Sequence, residues 1–598
     1  MPNYRAPLRD IQFVLRELLD SDSHYQSLQG CEAPSPDLLE AILDSGAKFA
    51  EQVVAPLNQS GDEEGCRFEG GEVQTPKGFK EAFAQYAEAG WQGLSIPAEH
   101  GGQGLPGSCG TAVGEMIGSA NYAWSMYGGL AHAPISCLLN AGTEAQQQTY
   151  LPPLVSGRWG GTMCLTEAHC GSDVGLVRTK AIAQDDGSYV INGTKIFISG
   201  GEQDITENII HAVLARVEGA PAGTKGISLF IVPKFLVNDD GSLGERNGAH
   251  CGSIEKKMGL KGSATCVMNF EGATGYLLGE ENRGLEVMFK IMNSARLGTA
   301  LQGVSMGEAS FQGALSYAQE RLQMRAISGP KNPDTDADPI IVHPDVRRML
   351  MTQKALTEGS RALVYWLAQL VDKTRFGSEE DAKQAEELLS LLTPVAKAFC
   401  TETGLEVASL GVQVLGGHGY ISDNGMEQIL RDTRIATIYE GTTGIQSLDL
   451  LGRKVMGSGG ELLRKFTKQI HKFCEAANAQ ADMAEFIEPL QTLNKQWGQI
   501  TMQIGEKAMN DPEEIGAAAV DYTLFAGYVA LAYMWAQMAQ VAQQKVAAAE
   551  GDVRFYQAKL ATARFYFQRL LPRAQAHAAA AVTAAETVMA LETDAFAF

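Results

Sequence analysis

The sequence predicts an α+β protein, with helical domains on either side of a central β domain and one more helical domain at the C-terminal end. Three observations predict it. Up to about residue 159, apolar residues recur at three- and four-residue spacing. From 160 to 285 the pattern changes to short β-branched or aromatic runs bounded by glycine or charge. From 286 the helical period returns, lasts to 456, and resumes over 461–598 after Gly457-Ser458-Gly459-Gly460. At 598 residues the chain is too long for a single core, so three or four domains are expected from size alone.

The elements follow in order. Residues 9–19 and 36–57 carry helical apolar spacing; Pro56, Gly61, Gly65 and Gly70-Gly71 then break it, and 76–89 resumes it. Residues 112–139 are apolar nearly all round (Ile117, Tyr122, Trp124, Met126, Tyr127), which predicts a buried helix pair, hinged at Gly128-Gly129. Strands are expected at 188–191, 209–216, 226–232 and 265–270. The helical stretch 286–456 is interrupted by a loop at 329–344, longer than most helix–helix connections. Gly457-Ser458-Gly459-Gly460 reads as a flexible break. Ala-rich helices are expected beyond it at 462–477, 489–509, 515–549 and 553–591, the last interrupted by Pro572. These helices hold no ligand-spaced His, Cys or carboxylate cluster, so they read as a structural and oligomerisation domain.

Composition narrows the function. Hydrophobic residues at 45% and charged residues at 20% are those of an ordinary soluble protein. A net charge of −22 repels phosphate backbones and argues against nucleic-acid binding. An acidic enzyme can still bind an anionic coenzyme through locally placed cations. No apolar run approaches the ~20 residues of a membrane span, and Met1-Pro2-Asn3-Tyr4-Arg5 does not open a signal peptide. Ten scattered cysteines without a C-x-x-C pair fit reduced thiols in the cytoplasm. His250-Cys251 and His418 lack metal partners at useful spacing, so no metal is expected. Gly102-Gln103-Gly104-Leu105-Pro106-Gly107 satisfies the dinucleotide fingerprint G-x-G-x-x-G. No Asp or Glu follows over 116–143 to hold a ribose, and the run reads as a plain loop before a helix.

Two other runs carry chemistry. Ile438-Tyr439-Glu440-Gly441-Thr442-Thr443 sets one carboxylate on a turn between apolar segments, with Ile435 and Ile445 nearby. Lost hydration there raises the pKa and makes a stronger base. Upstream, Gln413-Val414-Leu415-Gly416-Gly417-His418-Gly419-Tyr420 offers glycines whose backbone N–H groups can approach an anion such as a pyrophosphate.

Together these runs resemble the C-terminal signature of the acyl-CoA dehydrogenases. Met163-Cys164-Leu165-Thr166-Glu167-Ala168-His169-Cys170-Gly171-Ser172-Asp173 resembles that family's other signature. Asn192-Gly193-Thr194-Lys195-Ile196-Phe197-Ile198-Ser199-Gly200 resembles its flavin-facing strand. The resemblance runs from about residue 37 to 456. It implies the family's fold: an N-terminal helical domain (1–159), a central β domain (160–285), a C-terminal four-helix bundle (286–456) and an additional helical domain (461–598). It also implies FAD, an acyl-CoA substrate bound between the β domain and the bundle, and α,β-dehydrogenation, with electrons passing to an electron-transferring flavoprotein. In long family members the extra domain occupies the surface that short members use to form tetramers, which implies a homodimer.

Residue by residue, the resemblance makes Glu440 the base. Leu165, Thr166, Gly171, Ser172, Phe197, Ser199 and Thr442 become flavin contacts, and Arg321, Gln413, Gly416 and Gly417 contacts to a partner subunit's flavin. Ser172, Arg296, Tyr439 and Gly441 become substrate contacts, a surface salt bridge being the bland alternative for Arg296. Several positions depart from the common pattern: Phe197 for tryptophan, Gln323 for threonine, Met324 for phenylalanine, Cys170 and Leu176 for small residues, Gln428 for a cation, Gly444 for glutamine. None removes a group the chemistry needs. The 442–450 segment, residues 4–10 and the long C-terminus look most like the branch that includes 3-methylmercaptopropionyl-CoA dehydrogenases. An acyl-CoA oxidase using O₂, or a non-catalytic helical scaffold, is the alternative. Acyl length stays open.

Overall fold

A computed structural model describes residues 4–478 and 480–598; Met1–Asn3, the first residues weighed against a signal peptide, lie outside them. The described chain forms two compact units, residues 31–295 and residues 4–30 with 296–598.

In the first unit, helices Pro36–Phe49, Phe79–Glu88, Gly107–Ala120, Tyr122–Ala141 and Glu144–Val155 precede a sheet. The expected buried helix pair is present, but it breaks at Asn121 rather than Gly128-Gly129. Asn121 lies in extended backbone, and its side chain accepts from the Trp124 amide at 3.0 Å, capping the second helix. Gly128 lies inside that helix, where a Cβ would crowd Tyr86 at 3.2 Å and Gln92 at 3.3 Å, so its smallness serves packing rather than a hinge. The Tyr127 hydroxyl donates to the Gly262 carbonyl (3.0 Å) and accepts from the Ala264 amide (3.1 Å), tying the pair to the β region. Gly102–Gly107 is a loop that leads into the Gly107–Ala120 helix, and the element just before it is the 3-10 turn Ala98–His100 rather than a strand.

Among the described residues the sheet has seven strands, six of them in the order Ala249–Ile254, Thr265–Leu277, Tyr189–Ser199, Lys180–Ala183, Asn208–Val217, Trp159–Cys164. Ser228–Pro233 pairs with both Asn208–Val217 and the far end of Thr265–Leu277, so five strands close into a barrel without free edges. The four expected strands are all present; three run longer than their apolar runs, while the one expected at 226–232 is shorter, Ser228–Pro233. Trp159–Cys164, Lys180–Ala183 and Ala249–Ile254 went unread, as did the small hairpin Arg67–Glu69 with Glu72–Gln74. Lys180–Ala183 is short, and its charged end breaks the alternation that marks a strand.

In the second unit, Gly284–Glu320 (from Arg296 onward), Pro344–Phe376, Glu379–Leu415 and Met426–Arg434 form the bundle. Glu461–Ala477, Ala484–Ala508, Glu513–Ala548, Val553–Phe565 and Arg573–Ala581 follow; the interruption at Pro572 falls between the last two. Gly457–Gly460 is an ordered turn rather than a flexible break: the Gly460 amide donates to Val455 at 2.8 Å, and the Ser458 hydroxyl to the Lys454 carbonyl at 2.6 Å.

The Glu513–Ala548 helix corrects the expectation of no long apolar run. It is long and apolar enough to cross a membrane, yet 67% of its most apolar window is buried inside the structure. It is the core helix of its unit: the Trp535 indole donates to the Ala355 carbonyl at 3.0 Å, and Tyr528 meets Phe399 edge-on at 4.9 Å. Buried ion pairs draw the N-terminal arm into the same unit. Arg361 bridges Asp10 (2.5 Å) and Glu308 (2.7 Å), and Lys559 bridges Asp10 and Glu358.

Candidate active site

Each unit carries one group of the candidate residues. In the β unit, Phe197 occupies a bulge: Ile196 and Phe197 together face Val267 where the register shifts between Cys266 and Met268. Its φ is +60°, and its ring is 60% exposed, between the buried side chains Lys195 and Ile198. A bulge re-aims a side chain, here turning a large aromatic outward from a barrel strand. The Ile196 amide donates to the Thr166 carbonyl at 2.9 Å, and the Lys195 ammonium to the Leu165 carbonyl at 3.0 Å. The two strands therefore fix Leu165, Thr166, Phe197 and the half-buried Ser199 on one piece of backbone. Gly171 and Ser172 follow the tight Glu167–Cys170 turn and are exposed.

Lys195 and Glu167, which sequence reasoning passed over, underpin this piece. Glu167 accepts from Lys195 (2.9 Å), the Thr179 hydroxyl (2.6 Å) and amide (3.0 Å), and the Arg178 amide (2.8 Å). Burial alone would raise its carboxyl, but Lys195 and these donors outweigh it and bring it down to about 2. Glu167, His169 and Cys170 bring potential metal-ligand atoms within 4.8 Å of one another, yet the Glu167 carboxylate is already spent on these partners.

In the helical unit, Glu440 sits at φ +55° on the turn before the Thr443–Leu448 helix. The residue is half-buried, but its Oε2 is sealed from solvent and has no hydrogen-bond partner among the described residues. Burial pushes the carboxyl up; Arg296 and Lys397 pull it back. Of the side chains expected to shield it, Ile435, Tyr439 and Ile445 are half-buried while Ile438 is 46% exposed.

The turn is gripped on several sides. Lys397 donates to the Gly441 carbonyl at 2.6 Å, Gln446 to the Glu440 carbonyl at 3.0 Å, and the Thr443 hydroxyl to Glu402 at 2.6 Å. Gly441 has φ +89°, and a Cβ there would lie 2.4 Å from the Gln446 amide, so only glycine fits. The Thr442 hydroxyl accepts from the Ile445 amide at 3.2 Å and caps the helix. The Tyr439 hydroxyl donates to buried Gln302. Arg296 is 9% exposed and pairs with Asp449 at 3.4 Å, so the surface reading of it fails.

Gly416 ends the Glu379–Leu415 helix at φ +60°, and a Cβ at Gly416 or Gly417 would meet nothing within 4 Å, so their backbone is open. Gly419 differs from the anion-approach reading: it is buried, with its Cβ position 2.3 Å from the Val412 carbonyl, and its smallness serves packing. Gln413 and Arg321 are exposed, Arg321 just past the end of the Gly284–Glu320 helix. Lys397, Gln302 and Gln446 went unread. The one available signal was a lysine inside the apolar run Leu391–Phe399.

Comparison with known proteins decides the family. Residues 36–158, 162–273 and 282–456 match the N-terminal, middle and C-terminal domains of acyl-CoA dehydrogenases, and 466–592 match a domain described as acetyl-CoA dehydrogenase C-terminal like. A 3-methylmercaptopropionyl-CoA dehydrogenase of Ruegeria pomeroyi is 43% identical over 95% of this chain and 96% of its own. The chain belongs to the acyl-CoA dehydrogenase family. It is thus an oxidoreductase of that family, extended by the extra helical domain. A broad-specificity linear acyl-CoA dehydrogenase of Mycobacterium tuberculosis is 35% identical over 96% of both chains. In fold, the chain is similar to Caenorhabditis elegans ACDH-11 (TM-score 0.77, 20% identity, 98% of this chain and 95% of that one) and to a Bacillus anthracis acyl-CoA dehydrogenase (0.72, 21%, 95% and 91%).

Proposed function

We propose that this acyl-CoA dehydrogenase desaturates an acyl-CoA thioester between its α and β carbons, with Glu440 as the base and FAD as the cofactor. The observation that carries this reading is the Glu440 carboxylate, sealed at Oε2, unpartnered and held on a turn that leaves its backbone no freedom. An α proton of a thioester is far less acidic than a carboxylic acid. A desolvated carboxylate with a raised pKa narrows that gap.

The β unit suits a flavin. An outward-facing aromatic on a bulge, backbone at Leu165 and Thr166 held by Lys195 and Ile196, and the Ser199 hydroxyl beside them match a flat ring with a polar edge. Bound FAD would supply the hydride acceptor. Open backbone at Gly416 and Gly417, with Gln413 and the exposed guanidinium of Arg321, suits the pyrophosphate half of the cofactor in a second copy, hence a homodimer. Arg296 and Lys397 supply fixed positive charge near the carboxylate that takes the proton. Tyr439 and Gly441 border that carboxylate, and Thr442 and Ser172 complete the contacts.

The substrate we propose is 3-methylmercaptopropionyl-CoA, after the relative of 43% identity that spans nearly the whole chain. Electrons pass to an electron-transferring flavoprotein in the cytoplasm. The test is anaerobic bleaching of the flavin by a series of acyl-CoAs that includes the thioether. Wild-type protein should bleach fastest with the thioether; Glu440→Gln should hold flavin and bleach at least about 1000-fold more slowly with every one. Bleaching of Glu440→Gln at the wild-type rate would overturn the assignment.

A further inference from the structure

Lys397 lies in the run Leu391–Phe399 on the inner side of the Glu379–Leu415 helix and is completely buried. Lysines are almost never fully buried unless a carboxylate pairs with them. This ammonium has no carboxylate within ion-pair distance among the described residues, and its hydrogen bond goes to the Gly441 carbonyl at 2.6 Å. Burial pushes it down to about 8, while Glu440 first and then Glu402 pull it up and Arg296 opposes them. A fold that tolerates this cost gains something at the Glu440 turn.

The groups around that turn define what is gained. From the Gly284–Glu320 helix comes Arg296, whose charge is shared with Asp449, itself also paired to Arg453 at 3.4 Å. From the helix of Lys397 comes Glu402, which accepts the Thr443 hydroxyl. Lys397 alone is both free of a carboxylate partner and bonded to the residue after Glu440.

We infer that Lys397 is a positioning residue for the base: it fixes the Glu440–Gly441 turn through the Gly441 carbonyl and sets a buried positive charge beside the carboxylate. The inference rests on Glu440 being the base. Without the ammonium, burial would push the Glu440 carboxyl up with Arg296 alone opposing it, so Glu440 would stay protonated to higher pH than in the wild type. The turn, freed on one side, would also lose the rigidity that holds Glu440 at positive φ.

The experiment measures kcat/KM against pH in flavin-loaded wild type, Lys397→Met, Lys397→Gln and Lys397→Arg. Lys397→Gln keeps a donor for Gly441 without the charge, and it carries the test if Lys397→Met does not fold. The acid limb should move up by about one pH unit or more in both neutral variants, with kcat falling about tenfold at neutral pH and KM changing little. Lys397→Arg should return the limb to its wild-type position. A limb unmoved in a folded neutral variant, a limb shifted equally in Lys397→Arg, or collapse of both neutral variants beside an active Lys397→Arg would overturn the proposal. Glu440→Gln, run alongside, separates the two claims: if it stays inert while the limb does not move, only the role of Lys397 is lost.

Discussion

Glu440 and Phe197 share a backbone feature: both are non-glycine residues at positive φ, +55° and +60°. Each such residue costs about 1–3 kcal/mol and persists only where its surroundings over-determine it. At Glu440 the surroundings are Lys397, Gln446 and the Gly441 position; at Phe197 they are the bulge and the Ile196–Thr166 hydrogen bond. Phe197→Ala should therefore fold normally and hold flavin about tenfold more weakly, read as the free FAD needed to restore visible absorbance. Undiminished retention would mean the ring does not face the cofactor. Glu440 was legible in the sequence because a carboxylate beside Gly441 in an apolar stretch is unusual. Lys397 was not, because its partner lies 44 residues on and no local pattern joins them. Gly419 was misread because glycines needed for close packing and glycines needed for open backbone look alike until the neighbouring Val412 carbonyl is placed.

Among the elements, the helices of the added domain were legible to within about five residues at most ends, since three- and four-residue spacing over many turns is a strong signal, whereas the bundle was read only as one helical stretch interrupted by a loop. The barrel was only half legible. Asn208–Val217 is buried on both faces over most of its length and reads as a plain apolar run, while Lys180–Ala183 hides in a polar stretch. The helix pair went wrong at its hinge because Gly128-Gly129 is the louder signal, although Asn121 supplies the cap. The N-terminal arm is held by ion pairs that no local pattern announces. Asp10 on Leu8–Gln12 meets Arg361 on Pro344–Phe376 and Lys559 on Val553–Phe565, and Lys559 also meets Glu358 at 2.8 Å and lies 5.1 Å from the Phe13 ring. Burial would raise the Asp10 carboxyl, yet the two cations hold it well below the usual carboxylate range. Lys559→Met keeps the volume and removes one cation from two buried carboxylates, leaving Asp10 to Arg361 and Glu358 to Lys354, so it should cost about 3 kcal/mol and lower the melting temperature of the holoenzyme. A melting temperature equal to wild type would show that the pairs only offset their own desolvation.

Across the whole molecule, a net charge of −22 coexists with cations placed one at a time near Glu440 and at Arg321, as an enzyme for anionic thioesters needs. The added helices are built into their unit rather than appended to it. Arg573 pairs with Glu406 of the bundle at 2.9 Å, and the Glu513–Ala548 core helix packs on Ala355 and Phe399. Their composition predicted helices but not this depth of burial, because alanine-rich faces give no hint of which surface they cover. What joins all of it to the proposed function is proton removal assigned to Glu440, a step that can be isolated from oxidation. A thioester with α hydrogens but no β hydrogen, such as 3,3-dimethylbutyryl-CoA, can lose a proton but has no hydride to give. Incubated with it in D₂O, wild-type enzyme should place deuterium on the α carbon, as read by mass spectrometry, and Glu440→Gln should not; deuterium entering equally fast in both would contradict Glu440 as the base.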